Sequence, residues 1–341
     1  MTPRRQRSRT LVRGALMLAL AAVGFYVVWP SLTAVVASVP SLADIRPAWF
    51  VAMAGLEISS FVCLWMLSSL ALHTDDLHLV ATAQLASNAF SRVVPGGAAA
   101  GGALQYRMLV RGGVPAPVTA LGLTAITLLS TGGVLLLPLL SIPTLLSDVA
   151  IDRSLVTTLW IGIALVLVVA AVGAVLAAAD EPVRLIGRAT QTVMNAVRRY
   201  TEPVTDLPDR LVAARNRLRT TLGSRWHMAL VWTAGKVGFD YLALLAALAA
   251  VNARPRPALV LVAFVASVVL GMIPVTPGGL GFVEAGLTTT LALAGVPAAL
   301  AATATLAYRL VQYWLPLPLG AAGYAIFRHR YGGVPTPEAT P

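Results

Sequence analysis

Residues 93–116 read VVPGGAAAGGALQYRMLVRGGVPA, and residues 275–298 read VTPGGLGFVEAGLTTTLALAGVPA. Pro95-Gly96-Gly97 falls on Pro277-Gly278-Gly279, and Gly113-Val114-Pro115 falls on Gly295-Val296-Pro297, both at an offset of 182 residues without a gap. Each stretch is an apolar segment fenced by helix breakers at both ends, 98–112 in the first and 280–294 in the second. At 1.5 Å per residue, a helix of this size is about 22 Å long, short of the roughly 30 Å hydrocarbon core of a bilayer. Two apolar helices precede each fenced segment. The earlier of the two carries an acid at nearly the same place, Glu57 in one and Asp240 in the other. Two three-residue motifs repeated at one spacing, with matching surroundings, point to an internal duplication.

The rest of the chain explains why these short segments are unusual. Of 341 residues, 57% are hydrophobic and 11% charged. Soluble domains carry about a quarter of their residues as Asp, Glu, Lys and Arg. So few charges do not cover the surface of a water-soluble globule, which excludes a soluble enzyme and a soluble nucleic-acid binder in spite of the net charge of +11. High hydrophobicity also excludes disorder. The apolar runs cover about 14–39, 48–72, 77–94, 98–112, 115–146, 155–179, 226–251, 257–275, 280–294 and 297–327. Most have the roughly 20 residues a helix needs to cross lipid, whereas barrel strands are about half as long and alternate in polarity. The fold class expected is an all-α polytopic membrane protein with about eight full transmembrane helices. Its two short, fenced helices either cross or re-enter.

Charge distribution orients the chain. Arg4, Arg5, Arg7, Arg9 and Arg13 make the tail 1–13 basic, and the polar stretch 180–225 holds nine arginines against five acids. Cytoplasmic segments are the basic ones, so both are expected inside, next to the anionic inner leaflet. The apolar run after the tail is too long for a signal-peptide core and reads as a first membrane helix. The resulting plan is a cytoplasmic tail at 1–13, a first membrane half at 14–179 with repeat one at 48–146, and a cytoplasmic amphipathic linker at 180–225. A second membrane half at 226–327 and a cytoplasmic tail at 328–341 follow. With an even number of crossings between the two basic stretches, five separate the starts of the repeats, so the second repeat is expected upside down relative to the first. Inverted repeats with interrupted helices give two-sided access to one central site in many transporters. Arg254 and Arg256, expected outside, run against the charge rule.

Eight ionisable residues fall inside apolar segments: Glu57, Arg92, Arg107, Arg111, Lys236, Asp240, Glu284 and Arg309. Each costs about 2.5–3.5 kcal/mol at a helix centre on insertion scales, so such groups pair or face a polar cavity. Lys236 and Asp240 are four apart and share a helix face, where they can pair. Arg92 and Arg111 lie near segment ends and can snorkel to headgroups. Glu57, Arg107, Glu284 and Arg309 lie deeper and are expected to line a cavity. Five bases against three acids make these groups net positive, which suits a phosphate-bearing substrate. The glycines Gly96, Gly97, Gly278 and Gly279 add backbone N–H groups at a helix start, which attract anions. The alternative for these glycines, and more so for Gly101 and Gly102, is a tight turn or close helix packing. No histidine pair has zinc spacing and no phosphate-cradling glycine loop appears, so neither a metal nor another cofactor is expected. Cys63 stands alone and forms no disulfide framework.

Within 180–225, Val183, Ile186, Thr190, Val193 and Val197 form one apolar stripe and Leu207, Leu211, Leu218 and Leu222 another, with a break near Thr201-Glu202-Pro203. This pattern fits two amphipathic helices lying on anionic lipid, or equally a linker with no lipid role.

The run MIPVTPGGLGFVEAGLTTTLALAGVP, followed by AATATLAYRLVQYWLPLPLG, resembles the lysylphosphatidylglycerol synthase transmembrane-region family, whose members are also called flippase-like domain proteins. The first-half run VVPGGAAAGGALQYRMLVRGGVP is similar to that family's first motif, more loosely, and the likeness spans roughly residues 10–330. The resemblance implies a membrane domain that moves aminoacylated or glycosylated lipids between leaflets. It makes Arg107, Glu284 and Arg309 the leading substrate-binding residues, with Arg92 beside them and Glu57, Lys236 and Asp240 balancing charge. The soluble aminoacyl-transferase domain of full-length synthases is not expected in this chain, so the resemblance favours translocation over lysine transfer. The function expected is a lipid flippase or scramblase in a bacterial cytoplasmic membrane, multi-pass, with its N-terminus inside. Its partners are a phospholipid or lipid-linked substrate and the anionic inner leaflet, with no nucleic acid. Two alternatives stand beside it. One is a membrane-embedded transferase acting on a glycolipid or polyprenyl phosphate. The other is a non-transporting partner of a separate lipid-modifying enzyme.

Overall fold

Prolines and glycines set the helix limits in the computed structural model, which describes residues 42–94, 97–136, 178–197, 205–223, 225–272 and 279–331 and the single positions 164, 171 and 175. Among the described residues every regular element is helical: α1 Pro47–Leu72, α2 Leu77–Val93, α3 Gly97–Arg111, α4 Ala116–Leu136, α5 Asp180–Val197, α6 Leu207–Gly223, α7 Trp226–Ala250, α8 Pro257–Met272, α9 Phe282–Leu293, α10 Ala298–Arg309 and α11 Pro316–Tyr331. A π-helical turn, Leu310–Trp314, joins α10 to α11. The expected segment at 14–39, most of that at 155–179, the end of 115–146, Pro95-Gly96, Pro277-Gly278 and the break at 201–203 lie outside the described residues.

Among the described residues, α1 with 26 residues and α7 with 25 are long and apolar enough to cross a membrane. Their outer faces are apolar as well, with Val51 72% exposed on α1 and Val231 63% exposed on α7. Valines standing clear of the protein on a long helix match a hydrocarbon surround rather than water.

Two departures from the sequence expectation have a backbone cause. The second fenced helix begins at Phe282 rather than residue 280. Gly279 and Gly281 have φ of 71° and 80°, a left-handed geometry that a right-handed helix cannot contain. The apolar run at 297–327 is not one helix. Pro316 has no N–H for the Gln312 carbonyl four residues back, and its ring crowds that carbonyl. The backbone widens into the π turn at Leu310–Trp314 just before this proline.

The helix ends after α3 and α9 match. After α3, Gly113 (φ 99°) places Val114 N–H on the Leu109 carbonyl at 3.1 Å and its own N–H on the Val110 carbonyl at 3.1 Å. After α9, Gly295 (φ 91°) places Val296 N–H on Leu291 O at 3.1 Å and its own N–H on Ala292 O at 3.0 Å. This bond pair is the Schellman motif, which uses a left-handed residue to satisfy the last carbonyls of a helix. His73 after α1 (φ 51°) and Asn252 after α7 (φ 58°) end these two helices with left-handed φ as well. Neighbours correspond too: α1 packs on α4 as α7 packs on α10, and α2 on α3 as α8 on α9, while α1 and α7 pack on each other.

One core joins Met53 of α1 with Leu244 and Leu248 of α7, Phe264 of α8, Leu287 and Leu291 of α9 and Tyr308 of α10. A second joins Leu79, Val80 and Ala83 of α2 with Met108 and Leu109 of α3 and Phe327 of α11. α11 lies close on α2 because its glycines face that helix. A methyl group added at Gly320 would stand 2.5 Å from Leu85 O. The Tyr331 hydroxyl donates to Asp76 Oδ2 at 2.6 Å and ties the end of α11 to the start of α2.

Candidate functional site

The charges of the apolar helices meet where α1, α2, α7, α9, α10 and the π turn come together. Arg309, at the end of α10 and 7% exposed, donates from Nε to Glu284 Oε1 at 2.7 Å and from Nη1 to Gln312 Oε1 at 3.0 Å. Glu284 sits in the first turn of α9, where the helix dipole favours a negative charge. The anion nearest the α9 N-terminus is thus a side chain of this protein.

Arg92 completes the other side. It is half-buried, and it turns inward rather than snorkelling outward. Its Nε donates to Asn88 Oδ1 at 2.7 Å, and its Nη1 to the carbonyls of Gln312 at 2.5 Å and Tyr313 at 2.7 Å. The Gln312 carbonyl is the one Pro316 deprives of an α-helical partner. Tyr313 binds both arginines. Its ring centre lies 5.2 Å from the Arg92 guanidinium carbon and 4.9 Å from that of Arg309. A π face attracts cations at this range, which lets two guanidinium groups share one ring despite their like charge.

Lys236 and Asp240 of α7 form the pair that their spacing predicts, with Nζ donating to Oδ2 at 2.7 Å. Glu57 of α1, 4% exposed, lies in the field of Asp240, Lys236 and Arg92, which brings Glu57 and Asp240 to one place. Two carboxylate oxygens in this group, Glu57 Oε2 and Glu284 Oε2, are buried with no hydrogen-bond donor among the described residues. Unfilled hydrogen-bonding capacity here thus lies on acceptors.

The remaining sequence candidates fall elsewhere. Arg107 and Arg111 lie exposed on α3, and no hydrogen bond or ion pair links Arg107 to this cluster among the described residues. Without them the group holds three acids and three bases and is formally balanced, not net positive. Gly96 and Gly278 lie outside the described residues. Gly97 is a packing glycine, since a methyl group there would stand 1.7 Å from Ser91 O, and at Gly101 it would stand 2.8 Å from Ser87 O. Gly102, by contrast, faces open space. Gly279 forms the left-handed turn before α9. Asp76 caps α2 by accepting Leu79 N–H at 3.0 Å.

Sequence reasoning missed Asn88, Gln312 and Tyr313, which carry no charge and sit in apolar runs. The readable signal was Pro316, four residues after Gln312 and four before Gly320.

A stretch of 64 residues is 36% identical to a "UPF0104 membrane protein" of Methanothermobacter thermautotrophicus, covering 19% of this chain and 19% of that relative. A family described as "Lysylphosphatidylglycerol synthase TM region" matches residues 15–320. That range takes in every member of the charged cluster and both fenced helices. This membrane protein belongs to the lysylphosphatidylglycerol synthase transmembrane-region family.

Proposed function

We propose that the protein moves a phospholipid or lipid-linked substrate between leaflets, with the headgroup passing through the charged cluster and the acyl chains staying in lipid. The observation that carries this reading is the gathering of Glu57, Arg92, Lys236, Asp240, Glu284 and Arg309 in one group, with two carboxylate oxygens left without donors among the described residues. Six ionisable side chains among apolar helices are costly, and such groups usually mark a substrate or ion path. Arg92 and Arg309 offer guanidinium charge to a phosphate, and Glu57 and Glu284 offer acceptors to an amine or a sugar hydroxyl. With all six groups ionised, a zwitterionic or glycosylated headgroup suits this balanced cluster better than a bare anion.

The halves act in this proposal as inverted repeats of a protein with about eight crossings and a cytoplasmic N-terminus, in a bacterial cytoplasmic membrane. Support comes from the matched Schellman ends after α3 and α9 and from the contact of the two repeat-leading helices, α1 and α7. Inversion around that contact would present one polar group to both sides in turn. The hairpin of α5 and α6, closed by Arg215 on Asp180 and by Arg184 on Asp209, lies in this scheme against the anionic inner leaflet or a separate lipid-modifying enzyme.

The test is reconstitution into vesicles with a fluorescent short-chain phospholipid and a membrane-impermeant quencher. Wild-type protein is expected to move the lipid at least tenfold faster than an Arg309→Ala, Glu284→Ala double variant of equal monodispersity. Equal rates would overturn the proposal.

A further inference from the structure

Glu57 stands apart from the other acids of the cluster. Glu284 has Arg309 at 2.7 Å and Asp240 has Lys236 at 2.7 Å. Among the described residues Glu57 has no ion-pair partner within bonding distance, and its Oε2 is both buried and without a donor. The groups facing it are Asp240 and Lys236 from α7, Arg92 from α2 and Tyr308 from α10. Of these, Lys236 is bonded to Asp240 and Arg92 to Asn88 and the π-turn carbonyls. Glu57 is thus a carboxyl whose charged neighbours are already committed to other partners. Charge counting gives its protonation a consequence. With Glu57 ionised the cluster is three against three. With Glu57 neutral it is two acids against three bases, net +1, and attracts an anionic phosphate.

We propose that Glu57 is a proton-binding site that couples proton movement to headgroup binding. The proton comes from bulk water on one side and bonds to the carboxylate. The cluster becomes net positive and takes the phosphate. On the other side the O–H bond breaks, the proton returns to water, and the restored negative charge favours release of the headgroup. No redox partner is involved, and one proton accompanies one lipid. Coupling of this kind is reciprocal, so a bound headgroup strengthens proton binding as much as the proton strengthens headgroup binding. The coupling rests on the translocation reading above, whereas the proton site itself does not.

Two measurements separate the two. First, infrared difference spectra of the full-length protein in vesicles, recorded as pH is lowered, should show a carboxylic-acid C=O band that disappears in Glu57→Gln and shifts in Glu57→Asp. A band unchanged by both substitutions overturns the proton site. Glu57→Asp keeps the carboxyl and serves if Glu57→Gln does not fold. Second, in vesicles of phosphatidylcholine holding a trace of short-chain fluorescent phosphatidylglycerol, a gradient of one pH unit should bias lipid accumulation by about tenfold at one proton per lipid. Glu57→Gln should remove the bias. Lipid movement that ignores the gradient in the wild type overturns the coupling while leaving translocation standing. A titrating Glu57 band with no lipid movement at all overturns translocation while leaving the proton site standing.

Discussion

Arg92 and Tyr313 hold each other at both ends: the guanidinium donates to the Tyr313 carbonyl at 2.7 Å, and the Tyr313 hydroxyl donates back to the Arg92 carbonyl at 3.0 Å. This reciprocal clasp fastens the last turn of α2, in the first half, to the π turn of the second. Tyr313→Phe removes one of the two bonds and keeps the ring beside both arginines. A neutral hydrogen bond contributes about 0.5–1.5 kcal/mol net, so the loss of melting temperature in detergent should be small. Arg92→Ala also orphans the carbonyls of Gln312 and Tyr313 and should lower the melting temperature several times more. Equal shifts for the two variants would show that the guanidinium bonds carry no extra weight.

Arg309 and Glu284 form a pair in apolar surroundings, and breaking one side leaves an uncompensated charge. Either single alanine substitution should cost about 3–5 kcal/mol. The double substitution should cost clearly less than the sum of the two. A double-mutant cycle on unfolding measures this coupling, and additive losses would contradict the pairing.

Small residues fix the approach of α3 to α2. Gly97→Ala and Gly101→Ala drive a methyl group into backbone oxygens of Ser91 and Ser87 and should each destabilise by about 1–3 kcal/mol. Gly102→Ala meets open space and should be neutral or slightly stabilising, through helix propensity. Thermal stability of the three variants, ranked, checks the assignment.

Asp76 lies outside the membrane-spanning segments and sets a pH dependence. Burial pushes its carboxyl up, but the Tyr331 hydroxyl, the Leu79 N–H and the nearby Arg330 and His78 outweigh burial and hold it below the usual Asp value. A lowered folded-state value means the carboxylate stabilises fully above about pH 4. That contribution fades as pH falls through the lowered value. Asp76→Asn keeps an oxygen to cap Leu79 N–H but puts an amide nitrogen where Oδ2 accepts from Tyr331, so it also loses that bond at every pH, together with the pH-dependent part. Its melting temperature should fall less steeply below about pH 4 than that of the wild type. Parallel acid profiles would refute the role.

Local features of the molecule were readable and long-range ones were not. The Gly-Val-Pro fences could be read because a left-handed glycine followed by a residue before proline ends a helix whatever surrounds it, and both formed matching turns. Lys236 and Asp240 could be read because one helical turn brings them together. Arg309 and Glu284 were each recognisable as costly charges, but their pairing joins α10 to α9 across 25 residues, which no periodicity encodes. The inward turn of Arg92 depends on carbonyls 220 residues away, so its position near a segment end pointed to the membrane surface instead. Arg107 was misread in the opposite sense. It is central in its segment, yet the segment turns that face outward, because its glycines at 97 and 101 demand the side against α2.

The π turn also acts as a spacer of fixed size. It holds one residue more per turn than an α-helix would, and everything after it is phased accordingly. Deleting a single residue from Leu310–Trp314 would return the segment to α geometry and rotate α11 by about 100° about its axis. Gly320 and Gly323 would swing away from Leu85 and Thr82, bulkier side chains would face α2, and Tyr331 would lose Asp76. Homologous chains should therefore keep the length of this stretch even where its residues other than Gln312 and Tyr313 vary.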